Sequence, residues 1–172
     1  PDYAEASLRA LAASNHEVVG VVTAPDRPAG RGHRLTPSRV KVAALELGLP
    51  LTQPDKLKAP SFLDKLDQWD ADLFAVVAFR MLPEVVWSQP RVGTVNVHGS
   101  LLPDFRGAAP IQHAVMAGVD VTGVTSFFIT REIDTGALLL QRAVHVSPRA
   151  TAGDVYAQLM HAGAGLMVDT AD

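Results

Sequence analysis

Residues 71–78 read ADLFAVVA, and every position except Asp72 carries an apolar side chain. Such a run is typical of a strand that is buried on both faces, because helices cover both faces of a parallel sheet. The residues just before it, 61–68, place their apolar side chains at the spacing of one helix face. A buried strand next to an amphipathic helix predicts an α/β fold.

Strand-like and helix-like segments alternate along the rest of the chain. Runs rich in β-branched residues predict strands at 17–23, 94–98, 122–130 and 138–146. Apolar residues at helical spacing predict helices at 38–47, 110–117 and 151–168. This alternation predicts a Rossmann-like open sheet, mostly parallel and flanked by helices, in a single domain over residues 1–172. The segment 24–37 is rich in Pro, Gly and Arg and is predicted to be a loop.

Composition narrows the possible functions. The chain has 172 residues, a net charge of −3, 48% hydrophobic residues and no cysteine. This apolar content excludes a disordered chain, and the missing thiols exclude disulfides and thiolate metal sites. The histidine spacing is not that of a metal site. No apolar run reaches the roughly 18 residues of a membrane span, so a membrane partner is not expected.

Asn96 and His98 are the most informative polar residues. Both lie on the strand predicted at 94–98, and because they are two positions apart they point to the same face. An amide beside an imidazole can stabilise a developing oxyanion, or supply a hydrogen-bond donor and an acid–base group. A buried, hydrogen-bonded pair with a structural role is the alternative interpretation.

Further candidates lie in the loops near this strand. In open α/β sheets ligands bind beyond the carboxyl ends of the strands, which places functional loops after residues 23, 78 and 97 and before Leu138. Asp134 begins the turn Asp-Thr-Gly, and a carboxylate within reach of His98 would orient its ring. Glu132 is the rival carboxylate and is expected to face solvent. Arg106 is either a ligand for an anion or a surface residue on a rigid loop.

Basic residues are concentrated in the segment 25–41. They are Arg27, Arg31, Arg34, Arg39 and Lys41, against a single acid, Asp26. In an acidic chain this cluster indicates contact with phosphates, and a solvated surface loop is the alternative. The chain has neither a nucleotide P-loop nor the Gly-x-Gly-x-x-Gly dinucleotide motif.

The motifs NVHGSLLP at 96–103, RGAAPI at 106–111 and DTG at 134–136 resemble those of the formyltransferases that use 10-formyltetrahydrofolate. With PDRPAGRG at 25–32, the chain is most similar to the branch that formylates the initiator methionyl-tRNA in translation initiation. The similarity covers essentially the whole chain. It implies a catalytic domain truncated at both ends, lacking its first strand and the C-terminal β-barrel domain. The chain also opens at Pro1 and ends in a helix-like run without a cap.

The resemblance implies roles for individual residues. The catalytic residues would be Asn96, His98 and Asp134. The folate site would be lined by Ser100, Leu101, Leu102, Pro103 and Phe79. The tRNA would contact Arg27, Arg31, Arg34 and Lys41. The implied co-substrate is 10-formyltetrahydrofolate, without a metal or an obligate protein partner, in the bacterial cytosol or an organelle matrix.

The reaction that the resemblance implies is a direct transfer. A neutral α-amino group would attack the formyl carbon while Asn96 and His98 stabilise the oxyanion, and Asp134 would fix the imidazole. No covalent enzyme intermediate is expected, because no Ser or Cys nucleophile is paired with a base. Phe79 and Arg80 replace the Tyr-Gly that many family members carry. The alternatives are a formyltransferase acting on an amino-sugar nucleotide and an inactive folate-binding fragment.

Overall fold

The computed structural model describes residues 2–29, 34–132 and 134–172. In that part of the chain the helices are α1 (Asp2–Ala13), α2 (Arg39–Glu46), α3 (Pro60–Trp69), α4 (Glu84–Trp87), α5 (Pro110–Met116) and α6 (Ala152–Ala171). The strands are β1 (Val21–Val22), β2 (Arg27–Ala29), β3 (Arg34–Thr36), β4 (Leu51–Thr52), β5 (Leu73–Val76), β6 (Gly93–His98), β7 (Val121–Phe128) and β8 (Leu138–His145). None of these helices combines the length and the apolar character needed to cross a membrane.

The strands form a main sheet in the order β5-β6-β7-β8 and a separate parallel pair, β1 with β4. In the main sheet β5 and β6 are parallel, while β7 runs antiparallel to both of its neighbours. The predicted α/β class, with parallel strands flanked by helices, is confirmed. The direction of β8 follows from the short connection 129–137, because a parallel crossover needs a dozen or more residues.

One face of the main sheet is buried against α6. Val95 and Val97 on β6 and Val124 on β7 pack with Leu159 and Met167 of this helix. The helix begins at a capping box, in which the Thr151 and Asp154 side chains each bond to the other's backbone N–H. Because β6 alternates, Asn96 and His98 lie on the opposite face, away from this core.

The segment predicted as a loop, 24–37, contains an antiparallel hairpin. Strands β2 and β3 pair Arg27 with Thr36 and Pro28 with Leu35. The prediction of a loop was wrong for the paired residues. Pro and Gly dominate the composition of this segment and favour a loop, while the strand pairing is short and purely local. The base of the hairpin is held on the domain by Asp26, whose carboxylate accepts hydrogen bonds from Lys41 Nζ at 2.6 Å and Gln53 Nε2 at 2.9 Å.

Candidate active site

Strand β6 places its polar residues in the middle of the sheet. Asn96 is paired with Phe127 and His98 with Thr125 of β7. The Cα atoms of Asn96 and His98 are about 6.5 Å apart at strand spacing, which lets two side chains on one face converge on a single atom. The prediction that they share a face agrees with this strand geometry.

The imidazole of His98 is held by a backbone carbonyl. Its Nε2 lies 2.8 Å from the carbonyl oxygen of Phe105, and a carbonyl can only accept a hydrogen bond. The neutral ring therefore carries its proton on Nε2. Its Nδ1 lies 3.7 Å from Asp134 Oδ2, outside direct hydrogen-bond distance. Nδ1 is thus the atom that can take up or release a proton, next to a carboxylate.

The candidate carboxylate is held by the loop on the other side of the site. Asp134 Oδ2 accepts a hydrogen bond from the backbone N–H of Gly107 at 3.0 Å. Its side chain is only 11% exposed and that of His98 only 9%, so the pair is largely shielded from water. Asp134 has a left-handed backbone, with φ of 51°, a conformation that Asp tolerates better than most residues.

The route of the chain to Asp134 differs from the expected one. Strand β7 ends beside the beginning of β6, where Ile129 N donates to the carbonyl of Thr94 at 2.7 Å. The loop before Leu138 therefore starts at the amino end of β6 and folds back over the sheet face to reach His98. A Cβ on Gly136 would lie 1.6 Å from the carbonyl oxygen of Phe128, so only glycine fits this return path.

Backbone strain is concentrated in the loop 99–109. Phe105, Gly107 and Ala109 have φ of 53°, 79° and 55°. Left-handed conformations cost a non-glycine residue roughly 1–2 kcal/mol and cluster at functional sites. Phe105 supplies the carbonyl that holds His98, and Gly107 supplies the N–H that holds Asp134. These two contacts cannot be predicted from the sequence, because backbone groups have no residue signature.

Asn96 carries an unsatisfied polar atom. Its Oδ1 is buried and has no hydrogen-bond partner among the residues that the structure describes. An unpaired buried acceptor costs about 1–3 kcal/mol, so the Asn96 side chain holds a hydrogen-bonding position that the described residues leave unsatisfied. Half a turn of the amide exchanges its oxygen and its NH₂ group, so the same position can present an acceptor or a donor.

The residues expected to bind folate occupy two different environments. Ser100 is fully buried, and its hydroxyl caps the turn that follows by donating to the carbonyl of Asp104 at 2.6 Å. Leu102 is buried and Pro103 is exposed. Phe79 packs beside the cluster of Leu57, Phe62, Leu66 and Val86, in the loop after β5. Because β5 and β6 are parallel, both loops leave the same edge of the sheet.

The basic residues divide into paired and exposed groups. Lys41 forms an ion pair with Asp26 at 2.6 Å, and Arg39 with Asp2 at 2.7 Å. Hydrogen bonds from Lys41 and then Gln53 hold the pKa of the Asp26 carboxyl below its usual range. Arg27 is exposed on β2, and Arg34 begins β3. Arg31 lies outside the described residues, and Arg106 is exposed beside the site.

Two further features of the described residues concern metal ligands and grooves. In the described ranges, no three His, Cys, Asp or Glu residues are grouped so that they could hold a metal ion. A groove of about 600 Å³ is lined by residues 51–56, 59, 61, 62 and 65, between β4 and α3. It contains none of the candidate catalytic residues, which lie instead on the face of the main sheet.

A family model for formyl transferases matches residues 1–171. The chain therefore belongs to the formyl transferase family, and the resemblance seen in its motifs is confirmed at that level. The chain is similar to the methionyl-tRNA formyltransferases of Bacteroides fragilis, at 51% identity over 172 residues, and Parabacteroides distasonis, at 53% over 173. Each alignment covers 100% of this chain and 53% of the relative, so the chain spans about half of the relatives' length.

Solved structures agree on the fold. Glycinamide ribonucleotide transformylase 1 from Symbiobacterium toebii superposes with a TM-score of 0.80 at 20% identity. The match covers 96% of this chain and 80% of that one. At 20% identity this superposition shows the fold alone.

Proposed function

We propose that this chain carries the catalytic domain of an enzyme that transfers the formyl group of 10-formyltetrahydrofolate to the α-amino group of the methionyl initiator tRNA. The observation that carries the proposal is that Asn96 and His98 share one face of β6, with the Asp134 carboxylate 3.7 Å from the Nδ1 of His98. The family match and the names of the relatives at about half identity support the choice of reaction and acceptor.

In this reaction the co-substrate supplies an activated formyl group. The Asn96 amide, turned to present its NH₂ group, donates to the formyl oxygen as negative charge develops on it. One such donor is worth about 3–4 kcal/mol of transition-state stabilisation. The unsatisfied Oδ1 position of Asn96 supports this role, since no described residue bonds to it.

His98 and Asp134 handle the proton. The attacking amine loses one proton and the departing nitrogen gains one, so a proton must be held between these two events. Nδ1 of His98 can hold it, because Nε2 is engaged by the Phe105 carbonyl. The Asp134 carboxylate, 3.7 Å away, stabilises the positive charge that appears on the ring.

The two substrates contact different structural elements in this proposal. The loop 99–109 and Phe79, at the carboxyl edge of β5 and β6, form the folate side. Arg27 on β2, with Arg31 and Arg34 from the same basic segment, contacts the phosphates of the acceptor stem in this proposal. Lys41 acts in this proposal by holding Asp26 at the hairpin base.

Competing acceptors test the proposal. The product of the complete reading frame is supplied with 10-formyltetrahydrofolate, methionyl initiator tRNA and, in parallel, an amino-sugar nucleotide. We expect formyl transfer to the tRNA alone. Transfer to the amino-sugar nucleotide alone overturns the assignment of tRNA as the acceptor, while the role of 10-formyltetrahydrofolate as formyl donor stands. Transfer to neither by a folded protein that still binds folate favours a binding domain.

A further inference from the structure

Three polar residues form a row across the main sheet. His98 on β6 lies opposite Thr125 on β7, and Thr125 lies opposite Gln141 on β8. Residues that are directly opposite across a sheet share a face, so all three lie on the face that carries Asn96. Thr125 is completely buried. A buried hydroxyl next to the candidate acid–base residue requires an account of its partners.

The hydroxyl of Thr125 uses all of its hydrogen-bonding capacity. It donates to the carbonyl of Ser100 at 2.7 Å and accepts from Leu102 N at 3.0 Å and Gln141 Nε2 at 3.0 Å. One donor and two acceptor sites are all that a hydroxyl has. The amide of Gln141 also donates to the carbonyl of Leu102 at 2.9 Å. Both side chains therefore bond to the backbone of residues 100–102.

These contacts serve the loop that holds His98. Within this loop the Ser100 hydroxyl donates to the carbonyl of Asp104. The next residue, Phe105, supplies the carbonyl that holds the imidazole Nε2. Packing adds to the bonds: a Cβ on Gly123 would lie 2.5 Å from Leu101, which shows how closely the loop lies on β7. A connected set of contacts thus runs from Gln141 to the ring of His98.

We propose that Thr125 and Gln141 are positioning residues of the formyl-transfer site, which fix residues 100–105 so that the Phe105 carbonyl keeps the His98 proton on Nε2. Nδ1 is then left facing Asp134. The inference rests on the proposed function for its kinetic consequence, while its structural consequence, the tautomer of His98, can be measured without any substrate.

The first test replaces the Thr125 hydroxyl by a methyl group of similar size. In the product of the complete reading frame, Thr125→Val should lower kcat roughly tenfold to a hundredfold, because misplacement by about 1 Å costs up to about a hundredfold. KM for tRNA should change little, since the basic hairpin is untouched. Thr125→Ser, which keeps the hydroxyl, should retain most of the activity.

A matched control lies on the same strand. Thr122 is also buried, and its hydroxyl has no partner among the described residues. Thr122→Val should therefore leave kcat unchanged. If Thr125→Val does not fold, Gln141→Leu on the exposed edge strand replaces it, with the same expected direction. The proposal is overturned if kcat of Thr125→Val, or of Gln141→Leu where that variant is used, equals the wild-type kcat. It is also overturned if Thr122→Val loses as much kcat as Thr125→Val.

The second readout is the ¹⁵N NMR spectrum of the imidazole at a pH where His98 is neutral, assigned from its loss in His98→Gln. Wild type should show a proton on Nε2, and Thr125→Val or Gln141→Leu should show a mixture of tautomers. An unchanged tautomer overturns the proposal even where kcat falls, because the hydroxyl would then act by another route. If no acceptor is formylated but the tautomer shifts, the proposed function fails and the positioning role stands.

Discussion

His98 and Asp134 approach each other to 3.7 Å without a direct hydrogen bond, and each is held in place by a backbone group of the same loop. The Phe105 carbonyl accepts a hydrogen bond from the imidazole Nε2, and the Gly107 N–H donates one to the carboxylate. The gap between Nδ1 and the carboxylate is wide enough to leave Nδ1 free for a proton and narrow enough for charge stabilisation. The loop 99–109 thus sets the spacing of the acid–base pair.

Removing the charge of Asp134 should disable the reaction and preserve the fold. In Asp134→Asn we expect kcat to fall by about a hundredfold or more, because the cationic ring loses its counter-charge. Asn still accepts the Gly107 N–H and tolerates the left-handed backbone. Single-turnover formylation measures the effect. A wild-type rate in a folded Asp134→Asn protein would remove this carboxylate from the mechanism.

Replacing Asn96 should lower activity without lowering stability. Asn96→Ala should lower kcat on the order of a hundredfold, because the developing oxyanion loses a donor. Its stability should be equal to or above that of wild type, because the substitution removes a buried oxygen without a partner. Thermal unfolding and steady-state kinetics check both parts. A large loss of stability with normal turnover would assign Asn96 a structural role instead.

Gly136 should not tolerate a side chain. In Gly136→Ala the new Cβ would meet the Phe128 carbonyl oxygen at 1.6 Å, so the loop must move and carry Asp134 with it. We expect at least a tenfold loss of kcat together with a lower unfolding midpoint. Gly153→Ala is the control, because its nearest neighbour is 3.6 Å away and alanine favours helix α6. Similar behaviour of the two variants would contradict the proposed fit.

The ion pair at the hairpin base predicts a pH-dependent contribution to stability. The pKa of Asp26 is lowered by Lys41 first and then by Gln53. Its contribution is therefore present above the unfolded-state value, about 3.9, and is lost as pH falls through the lower folded-state value. Asp26→Asn should lower the unfolding midpoint at pH 7, and the difference from wild type should vanish in acid.

The matched control for that pair is Asp72→Asn. Asp72 pairs with Arg91, but both side chains are more than two thirds exposed, and such pairs contribute little. Asp26→Asn should also raise KM for tRNA with little change in kcat, since the hairpin loses its fixed base. An identical pH dependence in Asp26→Asn and Asp72→Asn would refute the assigned role.

The basic hairpin predicts a salt-dependent effect. Arg27→Ala should weaken tRNA binding and reduce the slope of log affinity against log salt by about one, as expected for the loss of one phosphate contact. Arg149→Ala, an exposed position far along the chain, is the comparison. Filter binding across a salt series measures both. An unchanged slope for Arg27→Ala would place the tRNA elsewhere.

The sequence predicted some relationships of the site and could not predict others. The shared face of Asn96 and His98 followed from strand parity alone. The contact between His98 and Asp134 was expected, but its route was not, because the direction of β7 depends on pairing between distant segments. The roles of Phe105 and Thr125 depend on a backbone carbonyl and on cross-strand register, and neither leaves a signature in residue type.

The hydrogen bond from Gly107 to Asp134 joins two loops that leave β6 and β7 at opposite ends of the sheet. This hydrogen bond can form only when both loops are in place. A displacement of either loop therefore changes the spacing of the acid–base pair, whereas the core packed against α6 lies on the other face of β6. In this architecture the geometry of the acid–base pair depends on two loops at once, while the core depends on the sheet and on α6.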